Sequence, residues 1–138
     1  MCGIIGEFRF DKKKIDNENF KTKLNSIKHR GPDGDGIWVN KSCILGHVRL
    51  SIIDLSENGA QPMKSTKNNI ITYNGELFNY KDLKTRIDEN IIFKSNSDTE
   101  VLLNLLDADL SVLKDLRGMF AFAYYDSNLD ELLLVRDQ

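Results

Sequence analysis

The second residue of this chain is a cysteine, and its position permits chemistry that residue type alone would not. An initiator Met1 ahead of a small residue such as Cys2 is normally trimmed, which leaves a thiol and a free α-amine on the same residue. An α-amine titrates at roughly 7.7 to 8.0, so at neutral pH it can take the thiol proton at small cost. Nucleophile and general base would then be one residue, the N-terminal-nucleophile arrangement, in which the amine plays the part histidine plays in other hydrolases. The competing reading is a small buried residue at a strand start, because free cysteine is among the most buried types. A self-basic cysteine needs no imidazole, so His29 and His47 read as structural, and Cys43, flanked by Ile44 and Leu45, reads as core. Two thiols and two histidines in no ligand-like spacing make a poor zinc site, and at most one disulfide is available.

The segment His29-Arg30-Gly31-Pro32-Asp33-Gly34-Asp35-Gly36 holds three of the nine glycines and one of the two prolines in eight residues. It is a loop of specified backbone shape. Because it follows a helix pattern and precedes a strand pattern, it has the reverse order of a strand-loop-helix phosphate cradle.

These residues need elements to hold them. Ile4, Ile5, Phe8 and Phe10 around two glycines read as a strand that begins almost at the first residue. Phe20, Leu24 and Ile27 recur at helical spacing, with Asp16 or Asn17 able to cap, so Asn17 to Lys28 is predicted helical. Ile37 to Val39 and Cys43 to Leu50 read as a hairpin around Asn40-Lys41-Ser42, followed by a polar connection from Ser56 to Asn69. Ile70 to Tyr73 returns to strand pattern and is predicted to end in Asn74-Gly75, with a short helix from about Tyr80 to Glu89. Ser97-Asp98-Thr99-Glu100 has capping-box spacing ahead of the apolar Val101, Leu102, Leu105 and Leu106. Met119 to Asp126 and Glu131 to Val135 read as a second hairpin. Hairpin-linked strands with helices inserted in blocks indicate an α+β layered fold on a largely antiparallel sheet.

Composition sets the outer limits. The 138 residues are 41% hydrophobic and 29% charged, with a formal charge of −2. That suits one globular domain, and the slightly acidic balance argues against nucleic acid or anionic membrane as a partner. The longest unbroken apolar stretch, Met119 to Tyr125, is far below the ~20 residues that a membrane span requires. With no signal-peptide pattern at the N-terminus, the expected location is cytoplasmic.

Seven segments, in order and spacing, carry a resemblance over nearly the whole chain: Cys2-Gly3-Ile4-Ile5-Gly6, His29-Arg30-Gly31-Pro32-Asp33, Arg49-Leu50-Ser51-Ile52-Ile53-Asp54, Ala60-Gln61-Pro62-Met63, Asn74-Gly75-Glu76-Leu77-Phe78-Asn79, Ser97-Asp98-Thr99-Glu100 and Gly118-Met119-Phe120-Ala121-Phe122-Ala123. Together they resemble the class II glutaminase domain of glutamine-dependent asparagine synthetases. The resemblance implies an αββα sandwich of two sheets covered by helices on both faces, and hydrolysis of L-glutamine through a Cys2 thioester. It implies Asn74 and Gly75 as the oxyanion donors, although Asn-Gly is also the commonest tight-hairpin dipeptide. Arg49 matches the arginine that grips the substrate carboxylate, which a planar guanidinium can do bidentately. Leu50, Ser51, Ile52 and Ile53 match the pocket wall. Asp98 matches the acidic residue that takes the substrate ammonium, with Glu76 in support, and the loop from His29 to Gly36 borders the nucleophile and shapes the glutamine pocket.

In the resembling enzymes the ammonia passes to a C-terminal synthetase domain that activates aspartate with ATP and magnesium, and the assembly allows a homodimer. No cofactor or metal is implied within residues 1–138, and the Ser-Gly-Gly-Leu-Asp-Ser loop of the synthetase part is not among them. The resemblance continues past Gln138 in the relatives, which implies that these residues form most of a first domain. Two alternatives stand beside this reading. One is a same-family amidotransferase whose acceptor is another carboxylate, such as a polysaccharide sugar acid; the other is a non-catalytic glutamine-binding module.

Overall fold

The computed structural model describes residues 2–11, 13–51 and 55–138. Strands β1 (Gly3–Phe8), β2 (Gly34–Val39) and β3 (Cys43–Arg49) form an antiparallel sheet in the order β1-β3-β2. Strands β4 (Met63–Lys64), β5 (Ile70–Leu77), β6 (Gly118–Asp126) and β7 (Glu131–Arg136) form a second in sequence order. Helix α1 is Asn17–Ser26, α2 is Tyr80–Lys84 and α3 is Asp98–Ala108. No helix among the described residues is long and apolar enough to cross a membrane.

The two-residue period of β3 explains the layering. Ile44 points to one face and packs with Phe20 of α1, with Ile15 and with Ile5. Cys43 and Leu45 point to the other face and meet Ile70, Ala123 and Tyr125 of the four-stranded sheet. Beyond that sheet, Ile71, Tyr73, Phe122 and Tyr124 pack beneath Leu83 of α2 and Val101, Leu102 and Leu105 of α3. The sequence of layers is therefore helix, sheet, sheet, helix, the αββα sandwich. Each fully buried Leu, Ile or Val side chain contributes about 1.5 to 3 kcal/mol, so the central strand, buried on both faces, is the mechanical backbone of the molecule.

Local chemistry accounts for most element limits and for three departures from expectation. The Asp16 carboxylate caps α1 by accepting the N–H groups of Glu18 and Asn19. That helix stops at Ser26, two residues short of Lys28, where the Ser26 hydroxyl donates to the Lys23 carbonyl and the chain tightens into a 3-10 turn over Lys28–Arg30. Helix α2 ends at Lys84 instead of near Glu89, with the Thr85 hydroxyl donating to the Asp82 carbonyl. At α3, Ser97 caps as expected by accepting the Glu100 N–H, but the Glu100 carboxylate turns outward to the N–H groups of Lys94 and Ser95. It thereby pins the segment leading into the helix.

The largest departure concerns Asn74-Gly75. The dipeptide neither ends a strand nor turns a hairpin. It lies in the middle of β5, with Asn74 opposite Ala121 and Gly75 opposite Phe120. A β-carbon at Gly75 would collide with the Met119 carbonyl oxygen and lie 2.6 Å from the Phe120 α-carbon. Glycine is thus required there by the approach of β6.

Candidate active site

The register of the three-stranded sheet brings the first candidates together. Gly3 pairs with Val48, so Cys2, one residue earlier, falls beside Arg49 at the end of β3. Its Sγ accepts the Leu50 N–H at 3.3 Å and lies 3.5 Å from the Leu50 carbonyl oxygen. The Arg30-Gly31 loop seals this corner. A β-carbon at Gly31 would overlap the Val48 and Arg49 backbone, so only glycine lets the loop press against β3, where Arg30 Nε donates to the Cys2 carbonyl at 3.0 Å. Asp33 accepts the Ser51 N–H at 2.8 Å and fixes the next segment.

The second sheet supplies the other wall. Strand β4 covers only Ile70 and Ile71 of β5, which leaves the edge of β5 open from Tyr73 onward. On that edge the Tyr73 N–H goes to Gln61 Oε1 at 2.6 Å and the Leu77 N–H to Asp98 Oδ2 at 2.9 Å. The period of the strand aims the Gly75 N–H out of the same edge, midway between them. Asn74 turns its own backbone N–H the other way, toward β6, and its Oδ1 is buried with no hydrogen-bond partner among the described residues.

A cavity of about 150 Å³ lies where these walls meet. Cys2, Arg49, Leu50, Ser51, Asn74 and Gly75 line it, as do Glu76 and Asp98. Ile52 and Ile53, expected in the wall, lie outside the described residues. The remainder of the loop from His29 to Gly36 is not in the lining; it acts through the contacts of Arg30 and Asp33 just described.

The cavity carries charge of both signs, from Arg49 and Asp98. Arg49 Nη1 donates to the Ser56 carbonyl at 2.9 Å, which ties Ser56 to the site. Asp98 is 4% exposed, and its Oδ2 takes the Tyr73 hydroxyl and the Leu77 N–H. Burial pushes its pKa up, and the bonds from Leu77 and Tyr73 hold it partly back. A cation beside Asp98 would favour its ionised form. Cys43, the other thiol, is fully buried between the sheets, and burial raises its pKa to about 12. The two cysteines therefore occupy opposite environments.

His47 lies beneath the cavity, 1% exposed, and its Nε2 donates to the Tyr73 carbonyl at 3.2 Å. Burial lowers its pKa to about 4 from an ordinary 6.5; the Tyr73 bond opposes the shift and Arg49 adds to it. The sign of the consequence is fixed. Between pH 6.5 and 4 the unfolded chain binds a proton there that the folded chain refuses, so stability falls as pH drops through that window, by up to about 3 kcal/mol. Asp98 works in the opposite sense, so the comparison should be with His47→Gln. Urea midpoints at pH 7 and pH 4.5 should diverge by less in that variant than in the parent, and equal divergence would contradict the assignment.

Residues 1–138 match the family model described as glutamine amidotransferase domain. The chain belongs to that family. This amidotransferase domain is 39% identical over 140 residues to asparagine synthetase B [glutamine-hydrolyzing] of Escherichia coli, covering 99% of this chain and 25% of the relative. It is 35% identical over 144 residues to asparagine synthetase [glutamine-hydrolyzing] 3 of Bacillus subtilis, covering 100% and 23%. It is also 42% identical to amidase chry2 of Gibberella zeae, over 88% of this chain and 19% of that one. The chain spans less than a third of the length of the relatives it matches. Among solved structures, the glutamine phosphoribosylpyrophosphate amidotransferase of B. subtilis superposes with a TM-score of 0.58 at 23% identity, over 97% of this chain and 31% of that chain, a likeness of fold.

Several residues of the amidotransferase domain's cavity carry no role in the site as read from the sequence. Gln61 donates through Nε2 to Thr99 Oγ1 at 3.3 Å while its Oε1 holds the Tyr73 N–H, so one side chain ties the connection after β3 to both β5 and α3. Its presence in the Ala60-Gln61-Pro62-Met63 motif was the only available signal. Tyr73, Ser97, Thr99 and His47 also line the cavity. Three of those four flank predicted site residues directly, and none has a spacing that would mark it.

Proposed function

We propose that this chain is the glutaminase part of a glutamine-dependent asparagine synthetase, releasing ammonia from L-glutamine. The observation that carries the reading is the convergence, in one cavity, of a position-two cysteine, an arginine, a buried aspartate and an open strand edge at Asn74-Gly75. Glutamine presents a carboxylate, an ammonium and a distal amide, and this set of groups answers each. Arg49 takes the carboxylate. Asp98, supported by Glu76, takes the ammonium, whose charge lowers the aspartate pKa again. The amide carbon then lies toward Cys2.

With Met1 removed, the Cys2 α-amine takes the thiol proton and the thiolate attacks the amide carbon. Negative charge develops on the amide oxygen, where the Asn74 side chain and the Gly75 N–H donate to it. The C–N bond breaks, ammonia leaves with a proton from the α-ammonium, and a γ-glutamyl thioester remains. Water, deprotonated by the α-amine, attacks the thioester and releases glutamate, and the thiolate recovers its proton. The Leu50 N–H directed at Sγ supports the thiolate in both steps. The steps use protein groups and water; ATP and magnesium belong to amidation of the acceptor by a synthetase part beyond this chain.

Arg49→Ala tests the substrate assignment. Loss of the guanidinium that pairs with the substrate carboxylate should raise the glutamine KM roughly 100-fold, with Arg49→Lys intermediate. An unchanged KM would remove Arg49 from the pocket.

A further inference from the structure

The site proposed above is divided between two sheets. Cys2 and Arg49 belong to the three-stranded sheet, Asn74 and Gly75 to the four-stranded one. Neither sheet alone can hold nucleophile and oxyanion donors in register, so whatever sets the separation of β3 and β5 also sets the geometry of attack. Two hydrogen bonds cross from one strand to the other at this level: His47 Nε2 to the Tyr73 carbonyl at 3.2 Å, and Thr72 Oγ1 to the Gly46 carbonyl at 3.3 Å. The His47 bond ends on the peptide unit that leads directly into Asn74. Together with Gln61 on the Tyr73 N–H, it occupies both backbone groups that Tyr73 turns to the open edge.

Fold stability does not account for a histidine here. A carbonyl can only accept, so Nε2 carries the proton and Nδ1 is a bare acceptor. Nδ1 is buried and has no hydrogen-bond partner among the described residues. An acceptor buried without a partner is destabilising, so the second ring nitrogen is a cost that the bond to Tyr73 does not require. Stability given up next to a proposed reaction centre is the usual signature of a group kept for function.

We propose that His47 is a positioning residue for glutamine hydrolysis, its Nε2 clamp on Tyr73 setting the Asn74-Gly75 donors against Cys2. The assignment rests on the glutaminase reading, and His47, which also lines the cavity, acts through Asn74 and Gly75. Removing the clamp should therefore fall mainly on the charge-developing step, because Asp98 keeps the Leu77 N–H and Arg49 keeps the Ser56 carbonyl.

The test is steady-state glutaminase kinetics on the full polypeptide with His47→Leu, His47→Asn and His47→Gln, alongside Cys2→Ala. The Gln amide nitrogen lies about where the imidazole Nε2 does and can still donate to Tyr73; the Asn amide is too short and Leu has no donor. His47→Leu and His47→Asn should lose about 10- to 100-fold in kcat, the effect of a displacement of order 1 Å at a reacting centre. Their glutamine KM should stay within about threefold, since ground-state contacts are untouched. His47→Gln should recover most of kcat. If His47→Leu folds poorly, the Asn and Gln pair carries the same comparison. Wild-type kcat in the Leu and Asn variants, or equal loss in Gln and Asn, overturns the clamp, as does a rise in KM without a fall in kcat. Full activity in Cys2→Ala overturns the glutaminase reading itself, which separates the two failures.

Discussion

Cys2→Ala should abolish glutamine hydrolysis, lowering kcat by at least about 10⁴-fold, because covalent catalysis has no other nucleophile to fall back on. Cys43 cannot substitute. It is fully buried between the sheets, and its thiol pKa of about 12 leaves almost no thiolate at neutral pH. A glutamine-like electrophile should accordingly label Cys2 and spare Cys43, as read by peptide mass spectrometry; label on Cys43 with Cys2 unmodified would sink the assignment. The same spectra report the first residue. Cys2 at the N-terminus is required, since an amine locked in a peptide bond to Met1 is no base. The fold should survive the substitution, because the hydrogen bonds of Cys2 Sγ among the described residues are the two with the Leu50 backbone.

Asn74→Ala should lower kcat by about 10²- to 10³-fold, the range for loss of one preorganised oxyanion donor. The effect should fall on kcat and leave the glutamine KM nearly unchanged, because the donor acts on charge that exists only in the transition state. Asn74→Asp should be at least as severe, since it sets a negative charge where one must develop. The fold has little stake in this side chain: its oxygen has no partner among the described residues, and the backbone of Asn74 stays in the β5–β6 ladder whatever the side chain. A kcat within threefold of the parent would place the oxyanion donors elsewhere. The Gly75 N–H is harder to probe alone, because any β-carbon there meets β6 first.

Chemistry close along the chain was readable from residue order. The caps at Asp16 and Ser97, the Cys43–Arg49 and Glu131–Arg136 hairpin partners and the alternation in β3 all depend on neighbours within a few residues, so propensity and period sufficed. The position-two cysteine is legible for the same reason, since its thiol and its prospective base sit on one residue. Motif order supplied the family, and with it Arg49, Asn74, Gly75 and Asp98, which the fold brings to one cavity.

Contacts between distant residues were another matter. Asn74-Gly75 looks locally like a turn, and only the approach of β6, more than forty residues later, makes it the middle of a strand with an open edge. Gln61 becomes a strut because Tyr73 and Thr99 arrive on either side of it, and His47 becomes a link because Tyr73 belongs to the opposite sheet. Glu100 likewise gives up the capping-box bond for Lys94 and Ser95, which the preceding loop folds toward it. Residue types along the chain determine which groups are available and which local shapes they favour. Which of those groups face one another across two sheets is decided by packing, because strand register and the closing of one apolar face on another join residues whose separation in sequence carries no signal of their contact.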